Sequence, residues 1–362
     1  MTINVLHVDT ERGWRGGERQ TLWLAAELAR RGHISLVAAR GGEPLAQRAA
    51  EAALDVVECN PRSEIDPFAA MKLRRVIAER QIEIVHAHTA HAVALAALAT
   101  FGTAVPFVVS RRVDFRLRDN VGTRLKYRHA GKFIAVSRAV GVVLEQSGIA
   151  RDRIAVVPDG VDVHRSREPA SRDTLGALGV PNGAPLAVQV AQLVGHKDPL
   201  NFVKAVAHAR ERVPGLHALL VGDGPLRAAV EQEVGERGLG DVLHVAGYRT
   251  DADMLLAAAD VAVLSSREEG MGSVLLDALV FGRPIAATRA GGIPEVVTPE
   301  CGRLAPPEDP TALGDAIATI LTEPALAARL GAAGRARAAQ FSVERMTDRT
   351  FQVYQGVLAD LR

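Results

Sequence analysis

The feature that most limits the fold of this chain is a repeated alternation between short apolar runs and longer segments with helical spacing. A helical pattern at 18–31 lies between the runs at 3–8 and 34–39, and another at 90–100 follows the run at 82–87. Such alternation predicts parallel strands joined by right-handed crossovers, with functional loops at the carboxyl ends of the strands. The other runs in the first half lie at 55–59, 107–110, 133–137 and 154–158.

The length of 362 residues exceeds what one compact core usually accommodates, so we expect two domains. A hydrophobic content of 48% suits an α/β protein whose parallel strands are buried. The stretch 163–183 is polar and rich in proline and glycine, which predicts the connection between the domains. The alternation resumes at 185–192, and the chain ends in a helical pattern at 343–361.

Charge and cysteine content narrow the class of protein. Residues 1–163 carry 23 Lys/Arg and 18 Asp/Glu, whereas the remainder carries 20 and 24, so the net charge of +1 hides two halves of opposite sign. Two distant cysteines, Cys59 and Cys301, indicate a reducing compartment rather than a disulfide scaffold. The chain has no apolar run of ~18 residues and no signal-peptide pattern at its start, so we expect a soluble, cytoplasmic protein.

The stretch 264–295 is the most informative part of the chain. An apolar strand pattern at 261–264 breaks into a charged, glycine-containing turn, and an almost wholly apolar helix follows Gly272. Ser273 is expected to cap this helix, and Gly282 with Pro284 to end it. Free amides and the helix dipole at such a start favour a phosphate group.

This apolar stretch contains two acidic residues, Glu269 before the helix and Asp277 within it. Asp277 lies about 7.5 Å along the helix at ~1.5 Å per residue, which suits a ribose attached to the phosphate. Glu269 lies on the other side, where a sugar would be. The alternative is a solvated pair of acids beside a core helix.

At these residues the chain resembles the family 4 glycosyltransferases, retaining enzymes of the two-domain GT-B architecture. Their pattern has two glutamates separated by seven residues and then a GG-x-x-E turn, which Gly291, Gly292 and Glu295 match here. Glu269 matches the first glutamate, but the second position holds the shorter Asp277.

The resemblance implies two Rossmann-like domains facing across a cleft. The first would comprise residues 1–165, on the acceptor side, together with a crossover helix at 343–362. The second would comprise residues 166–342 and bind the nucleotide sugar.

The resemblance also implies which residues bind the donor. Gly16 and Gly17 would let the backbone approach the donor diphosphate, although these glycines also fit a flexible turn. Lys197 matches a diphosphate-binding lysine, whereas Gln192 stands where the family has an arginine, and a surface lysine is the alternative for Lys197. Glu269 and Lys197 are the predicted catalytic residues. The remaining predicted donor-binding residues are Gly270, Met271, Gly272, Ser273 and Asp277.

On the acceptor side we expect His88, Arg111 and Arg112. His86, His88 and His91 cluster in sequence, but a zinc site lacks an evident fourth ligand, so acceptor binding by His88 and ordinary packing are the alternatives. Ser110, Arg111 and Arg112 replace a histidine that many family members have near the sugar. The basic segment 110–132 suits an anionic acceptor, an anionic membrane or a solvated face.

The predicted function is retaining transfer of a sugar from a nucleoside diphosphate, such as a UDP-sugar, to a hydroxyl of a glycan or glycolipid. No cofactor or metal is expected, and helix capping explains Asp251 and Asp253 better than a metal site does. The sparse aromatic residues argue against nucleic acid. An oxidoreductase would need a dinucleotide loop that the sequence lacks. A non-catalytic sugar-nucleotide-binding protein and a nucleotide-sugar epimerase remain as alternatives.

Overall fold

The computed structural model describes residues 2–117, 121–166 and 168–361. The chain divides into two compact units. The N-terminal unit comprises Met1–Gly160 and Ser342–Arg362, and the C-terminal unit comprises Val161–Phe341. The first boundary therefore falls at 160, where the resemblance implied 165.

A parallel seven-stranded sheet forms the centre of the N-terminal unit, in the order β3-β2-β1-β4-β5-β6-β7. Its central strands are apolar and buried because helices cover both faces of such a sheet. The strands are β1 (Asn4–Val8), β2 (Ile34–Ala39), β3 (Asp55–Glu58), β4 (Ile84–Ala87), β5 (Phe107–Arg111), β6 (Ala130–Ala135) and β7 (Ile154–Val156).

The helices between these strands begin where the sequence supplies capping groups. Asp66, Thr89 and Ser137 each accept a hydrogen bond from a backbone N–H of the first helical turn. The helices are α1 (Gly16–Arg30), α2 (Pro44–Glu51), α3 (Pro67–Glu79), α4 (Ala90–Thr100), α5 (Val121–Arg128) and α6 (Arg138–Gln146).

A parallel six-stranded sheet forms the centre of the C-terminal unit, in the order β10-β9-β8-β11-β12-β13. The order of the strands reverses between β8 and β11, as it does between β1 and β4 in the other sheet, and ligands of such folds bind beside these reversals. The strands are β8 (Leu186–Val190), β9 (His217–Val221), β10 (Leu243–Gly247), β11 (Val261–Leu264), β12 (Ile285–Thr288) and β13 (Gly302–Ala305).

The helices of the C-terminal unit include one that the sequence reading missed. The polar stretch 163–183 was predicted to be a connection, but it contains a short helix capped by Ser171 and belongs to this unit. The helices are α7 (Arg172–Ala177), α8 (Pro199–Arg212), α9 (Arg227–Glu236), α10 (Ala252–Ala258), α11 (Ser273–Val280), α12 (Ile293–Val296), α13 (Pro310–Thr322) and α14 (Pro324–Ala338).

The last helix, α15 (Val343–Ala359), returns to the N-terminal unit, as the resemblance implied. Tyr354 and Val357 pack with Leu24 and Leu28 of α1 in one buried cluster. Gly160 allows a close approach, because a Cβ there would lie 3.0 Å from the Cα of Val343. The returning helix is thus part of the core.

Among the described residues, no single helix has the length and apolar character needed to cross a bilayer. Pro310–Thr322 and Pro324–Phe341 pass that test only as a pair, with a bend of 101° at the break between them.

Candidate functional site

Hydrogen bonds join the loops that follow β8 and β11, at the point where the strand order of the C-terminal sheet reverses. The backbone N–H of Arg267 donates to the carbonyl of His196 at 2.8 Å. The hydroxyl of Ser265 donates to the carbonyl of Asp198 at 2.8 Å, and its backbone N–H donates to the Gln189 side chain at 3.1 Å. These bonds hold the residues around 197 and 269 in one place.

Two glycines after β9 pack directly on the β8 loop. A Cβ on Gly222 would lie 1.9 Å from the carbonyl oxygen of Ala191, and one on Gly224 would lie 2.6 Å from that of Leu193. Gln192, between these contacts, has an exposed side chain. The loop is therefore held through its backbone, while the predicted donor-binding amide faces outward.

The start of α11 is formed by Gly272, which has a φ of +78° and occupies the N-cap position. The expectation that Ser273 caps this helix was wrong, because Ser273 is already the first helical residue and a left-handed backbone is needed just before it. A Cβ on Gly272 would lie 3.2 Å from side-chain atoms of Leu264 and Leu275. In the first turn of α11 the N–H of Leu275 donates to the carbonyl of Gly272 at 2.8 Å, and the helix dipole there favours an anion.

Lys197 and Glu269 form an ion pair beside this helix start. Glu269 is buried, and its carboxylate also accepts a hydrogen bond from the Ser266 hydroxyl at 3.2 Å. Its backbone carbonyl accepts from the N–H of Gly292 at 3.0 Å, which connects it to the predicted GG-x-x-E turn. The two predicted catalytic residues are thus neighbours, one from each loop.

Asp277 is buried in α11 and is bound by an arginine that the sequence reading missed. Arg165 lies 3.1 Å from its Oδ1 and also pairs with Asp253 of α10. The arginine offsets the charge of a carboxylate that has little access to water. Nothing in the spacing of Arg165 links it to Asp277, which is 112 residues away.

The Asp-x-Asp pair does not converge on a common site. Asp251 occupies the N-cap position of α10 without a side-chain capping bond and instead pairs with Arg249 at 2.7 Å. Asp253 pairs with Arg165. The capping expectation for Asp251 thus holds for its position but not for its bonding.

In the N-terminal unit, Gly16 is the first residue of α1 and Gly17 the second. The backbone N–H of Arg15 donates to the carboxyl of Glu18 at 2.7 Å, as in a capping box. A Cβ on Gly17 would have no heavy atom within 4 Å, so packing does not require this glycine. The space beside Gly17 is compatible with a ligand close to the backbone.

Glu18 lies near a second buried acid, Asp9, at the end of β1. Burial, and secondly the charge of Asp9, raise the pKa of Glu18 to about 7 from its ordinary 4.5. Burial also raises the pKa of Asp9, although a 2.9 Å hydrogen bond from the Thr21 hydroxyl opposes the shift. This helix start therefore gains negative charge as the pH rises through neutrality.

Three histidines cluster at the strand reversal, but not the three that the sequence grouped. His7 of β1 joins His86 and His88, and their ring nitrogens lie within 4.8 Å of one another. His91 is exposed and instead bonds Glu11 at 3.2 Å. His7 pairs in register with His86 across two adjacent strands, which the local sequence grouping could not show.

Arg112 fixes the hydrogen-bond direction in this cluster. Its guanidinium, paired with Asp159 at 3.1 Å, lies 3.4 Å from Nδ1 of His88. Because guanidinium only donates, His88 accepts at Nδ1 and carries its hydrogen on Nε2, which donates to Nδ1 of His7 at 3.0 Å. Arg111 instead donates to the carbonyl of Phe115 at 2.6 Å. Of the two predicted arginines, Arg112 is therefore the one beside His88.

Burial keeps these histidines neutral. It lowers the pKa of His7 to about 3, and the nearby Arg112 charge adds to this effect. The pKa values of His86 and His88 are also well below the ordinary 6.5, mainly through burial. His86 contacts the Tyr354 hydroxyl at 2.6 Å and the Ser110 hydroxyl at 2.8 Å. The cluster is a neutral, hydrogen-bonded network.

Residues 118–120 of the basic segment 110–132, which include Arg118, lie outside the described residues. The Arg124 side chain is not described either. Lys126 pairs with Glu64 at 2.5 Å, and Lys132 donates to the carbonyl of Asp152 at 2.7 Å. These two lysines therefore connect the segment to its own unit.

Comparison with known families accounts for both units. Residues 14–165 match the family described as Glycosyltransferase Family 4, and residues 172–337 match Glycosyl transferases group 1. The chain belongs to the family 4 glycosyltransferases. The family resemblance inferred from residues 264–295 is thereby confirmed.

Curated relatives of this family 4 chain are glycosyltransferases of several kinds. It is 32% identical over 225 residues to the D-inositol 3-phosphate glycosyltransferase of Saccharomonospora viridis, covering 59% of this chain and 52% of that one. It is 31% identical over 240 residues to the MMP alpha-(1→4)-mannosyltransferase of Mycolicibacterium hassiacum, covering 64% and 56%. The chain thus spans just over half the length of these relatives.

Solved structures identify the fold. HepE of Anabaena in complex with UDP-glucose matches with a TM-score of 0.85 and 23% identity, over 98% of this chain and 100% of that one. A glycosyltransferase from Rickettsia africae matches with a TM-score of 0.84 and 22% identity, over 99% of each chain. The family 4 chain therefore has the GT-B fold, as predicted.

Proposed function

We propose that the protein is a retaining glycosyltransferase that moves a sugar from a nucleoside diphosphate to an acceptor hydroxyl. The observation that carries this proposal is the Lys197–Glu269 ion pair beside the N-terminal turn of α11. A cation and oriented amides suit a diphosphate, and a buried carboxylate next to them suits sugar hydroxyls. The HepE structure with UDP-glucose supports a UDP-sugar as donor.

In the proposed reaction, negative charge builds on the leaving diphosphate as the glycosidic bond lengthens. Lys197 and the N-terminal turn of α11 are the proposed partners of this charge, so they would stabilise the transition state more than the bound donor. In the N-terminal unit, Gly16 and Gly17 are proposed to bind the donor. No cofactor or metal is required, because these groups supply the positive charge.

Retention of configuration is assigned a front-face route. The acceptor oxygen bonds to the anomeric carbon on the side from which the diphosphate leaves, and the leaving phosphate oxygen takes the acceptor proton. Glu269 holds the donor sugar hydroxyls, and Asp277 is directed to the ribose. Arg165 fixes the orientation of Asp277 for that contact.

The acceptor is proposed to be a glycan or glycolipid, since relatives include enzymes acting on inositol phosphate and phosphatidylinositol mannoside. His88 and Arg112, which lie together in the N-terminal unit, are the proposed acceptor-side residues. Arg112 suits an anionic acceptor group. We further propose a cytoplasmic protein whose segment 110–132 contacts an anionic membrane.

A thermal-shift panel of UDP-, GDP- and ADP-sugars tests donor binding, with wild type, Glu269→Ala and the exposed-site control Glu231→Ala. We expect one nucleotide series to stabilise all three proteins, with the extra shift due to the sugar lost only in Glu269→Ala. Equal shifts in wild type and Glu269→Ala would refute the role of Glu269.

Turnover distinguishes transfer from the alternatives. We expect the free nucleotide to be released only when a candidate acceptor is present, with the anomeric configuration of the product unchanged. Tight donor binding without turnover across an acceptor panel indicates a non-catalytic binding protein. Conversion of the donor sugar to its epimer without acceptor indicates an epimerase.

A further inference from the structure

Exposed apolar side chains are concentrated in the N-terminal unit. Of the fourteen large hydrophobic side chains that are exposed among the described residues, twelve belong to this unit, and only Tyr248 and Met254 belong to the other. Single exposed apolar side chains are normal on a protein surface, but a group of such side chains marks a surface that contacts a partner. One such group, which we call the apolar patch, has these exposed fractions: Ile65 67%, Phe68 79%, Met71 66%, Val121 80% and Leu125 61%.

The apolar patch comes from two neighbouring elements. Phe68 and Met71 lie one turn apart on α3, and Ile65 precedes that helix. Val121 and Leu125 lie four residues apart on α5 and so share one face. The Lys126–Glu64 ion pair joins the two elements, because Leu125 precedes Lys126 and Ile65 follows Glu64. The two apolar groups therefore lie beside one connecting contact.

The same region carries the positive charge of the N-terminal half. Residues 60–132 contain 13 Lys/Arg and 6 Asp/Glu, whereas the remainder of 1–163 contains 10 and 12. Further exposed cations follow the patch on both helices. They are Lys72 and Arg75 on α3, of which Arg75 also pairs with Glu79 at 2.6 Å, and Arg128 on α5. Apolar side chains with basic neighbours match the interface of an anionic bilayer, where both components add to binding.

We propose that the apolar patch inserts into the surface of an anionic lipid bilayer and docks the protein there, with Lys72, Arg75 and Arg128 against the headgroups. A second copy of the chain suits the region less well, because a two-fold contact would place like charges opposite each other. The inference extends the membrane contact proposed for 110–132 to α3, and it does not depend on sugar transfer.

Vesicle flotation of the full-length protein tests this docking. We expect binding to phosphatidylcholine vesicles that contain phosphatidylglycerol, little binding to phosphatidylcholine alone, and loss of most binding at about 0.5 M salt, since salt screens the headgroup attraction. Binding that is insensitive to lipid charge would overturn the proposal.

Paired variants test the apolar component. The double variant Phe68→Ser with Leu125→Ser is expected to lower the vesicle partition coefficient at least about tenfold, because two apolar side chains lose their burial in lipid. The matched control, Val142→Ser with Tyr248→Ser, removes exposed apolar side chains elsewhere and is expected to bind like wild type. Equal binding by the patch variant and wild type would refute insertion.

Two further readouts separate the remaining outcomes. The first is light scattering without lipid. If wild type forms a dimer and the patch variant does not, the apolar patch binds a second copy of the chain and the proposal fails. The thermal shift of the patch variant with the donor nucleotide is expected to equal that of wild type. A failure of docking is thus distinct from a failure of the proposed donor site.

Discussion

Arg165 lies 3.1 Å from the buried carboxylate of Asp277, and it reaches the second acid Asp253 with the other arm of its guanidinium. Residues on α10 and α11 are thereby joined through one side chain. The consequence for stability can be measured.

Replacing Arg165 by Met is expected to destabilise the protein by about 3 kcal/mol, because the buried carboxylate of Asp277 loses the guanidinium beside it. Urea unfolding measures the change. The control Arg227→Met removes an exposed cation paired with Asp223 and Glu231, and we expect it to change stability by less than about 1 kcal/mol. Adding Asp277→Asn to Arg165→Met should recover part of the loss; no recovery would contradict the assignment.

Replacing Lys197 by Met is expected to lower kcat about 10²-fold to 10³-fold, the usual effect of removing one group that stabilises transition-state charge. Single-turnover kinetics with saturating donor measures it. Lys204→Met on α8 is the control, and we expect it to retain full activity. A change confined to donor affinity, with kcat intact, would mean that Lys197 binds the donor without a further contribution to the transition state.

Gly17→Ala separates ligand approach from folding. Since a Cβ at this position meets no atom, the variant should be at least as stable as wild type, and the alanine favours helix by up to about 1 kcal/mol. If the backbone of Gly17 approaches the diphosphate, donor affinity measured by calorimetry falls nonetheless. Unchanged affinity would remove Gly17 from the donor site.

Gly272→Ala is expected to affect the fold itself. Its left-handed backbone alone costs an alanine about 1 kcal/mol, and the 3.2 Å contacts with Leu264 and Leu275 add to that cost. Gly238 has a φ of +62° and open space around its Cβ position, so Gly238→Ala reports the backbone cost by itself. Equal destabilisation by the two substitutions in thermal unfolding would argue against crowding at the start of α11.

The histidine cluster predicts loss of stability in mild acid. The unfolded chain binds protons at His7, His86 and His88 below pH 6.5, but the folded state does not, because their pKa values are lowered by burial. Stability present above pH 6.5 is therefore lost as the pH falls, by up to about 1.4 kcal/mol per pH unit for each histidine. Urea unfolding at several pH values should show a shallower slope for His7→Gln than for wild type.

The titration of Glu18 predicts that stability changes with pH in the opposite direction. Its folded pKa of about 7 exceeds its ordinary 4.5, so the stability it contributes is complete below pH 4.5 and is lost as the pH rises to 7. Glu18→Gln keeps an acceptor for the capping bond and removes this titration. The stability difference between Glu18→Gln and wild type should therefore change across that range; a constant difference would contradict the raised pKa.

Much of the fold was predictable because its signals are local. Apolar runs and helical spacing located the central strands, and the helix at Ala90–Thr100 matched its predicted limits. The family motif likewise placed Glu269 and Lys197 in one site, and the structure makes them neighbours. The helix Arg172–Ala177 was missed because proline and glycine beside it suggested a connection.

The missed site residues depend on contacts across long sequence separations. His7 meets His88 across 81 residues through strand register, and Arg165 meets Asp277 across 112. Glu18 gains its raised pKa from burial and from Asp9, neither of which a sequence pattern contains. Residue type alone could not assign these roles.

The contacts of Gly222 and Gly224 with the carbonyls of Ala191 and Leu193 bear on attempts to redesign this protein. The backbone of the two glycines is in van der Waals contact with the backbone of the loop after β8. A methyl group on either glycine would therefore displace this loop, which carries Lys197. Gln192 projects outward between the two contacts and carries no such constraint. Directed evolution of sugar-nucleotide preference would thus do best to randomise Gln192 and leave both glycines untouched.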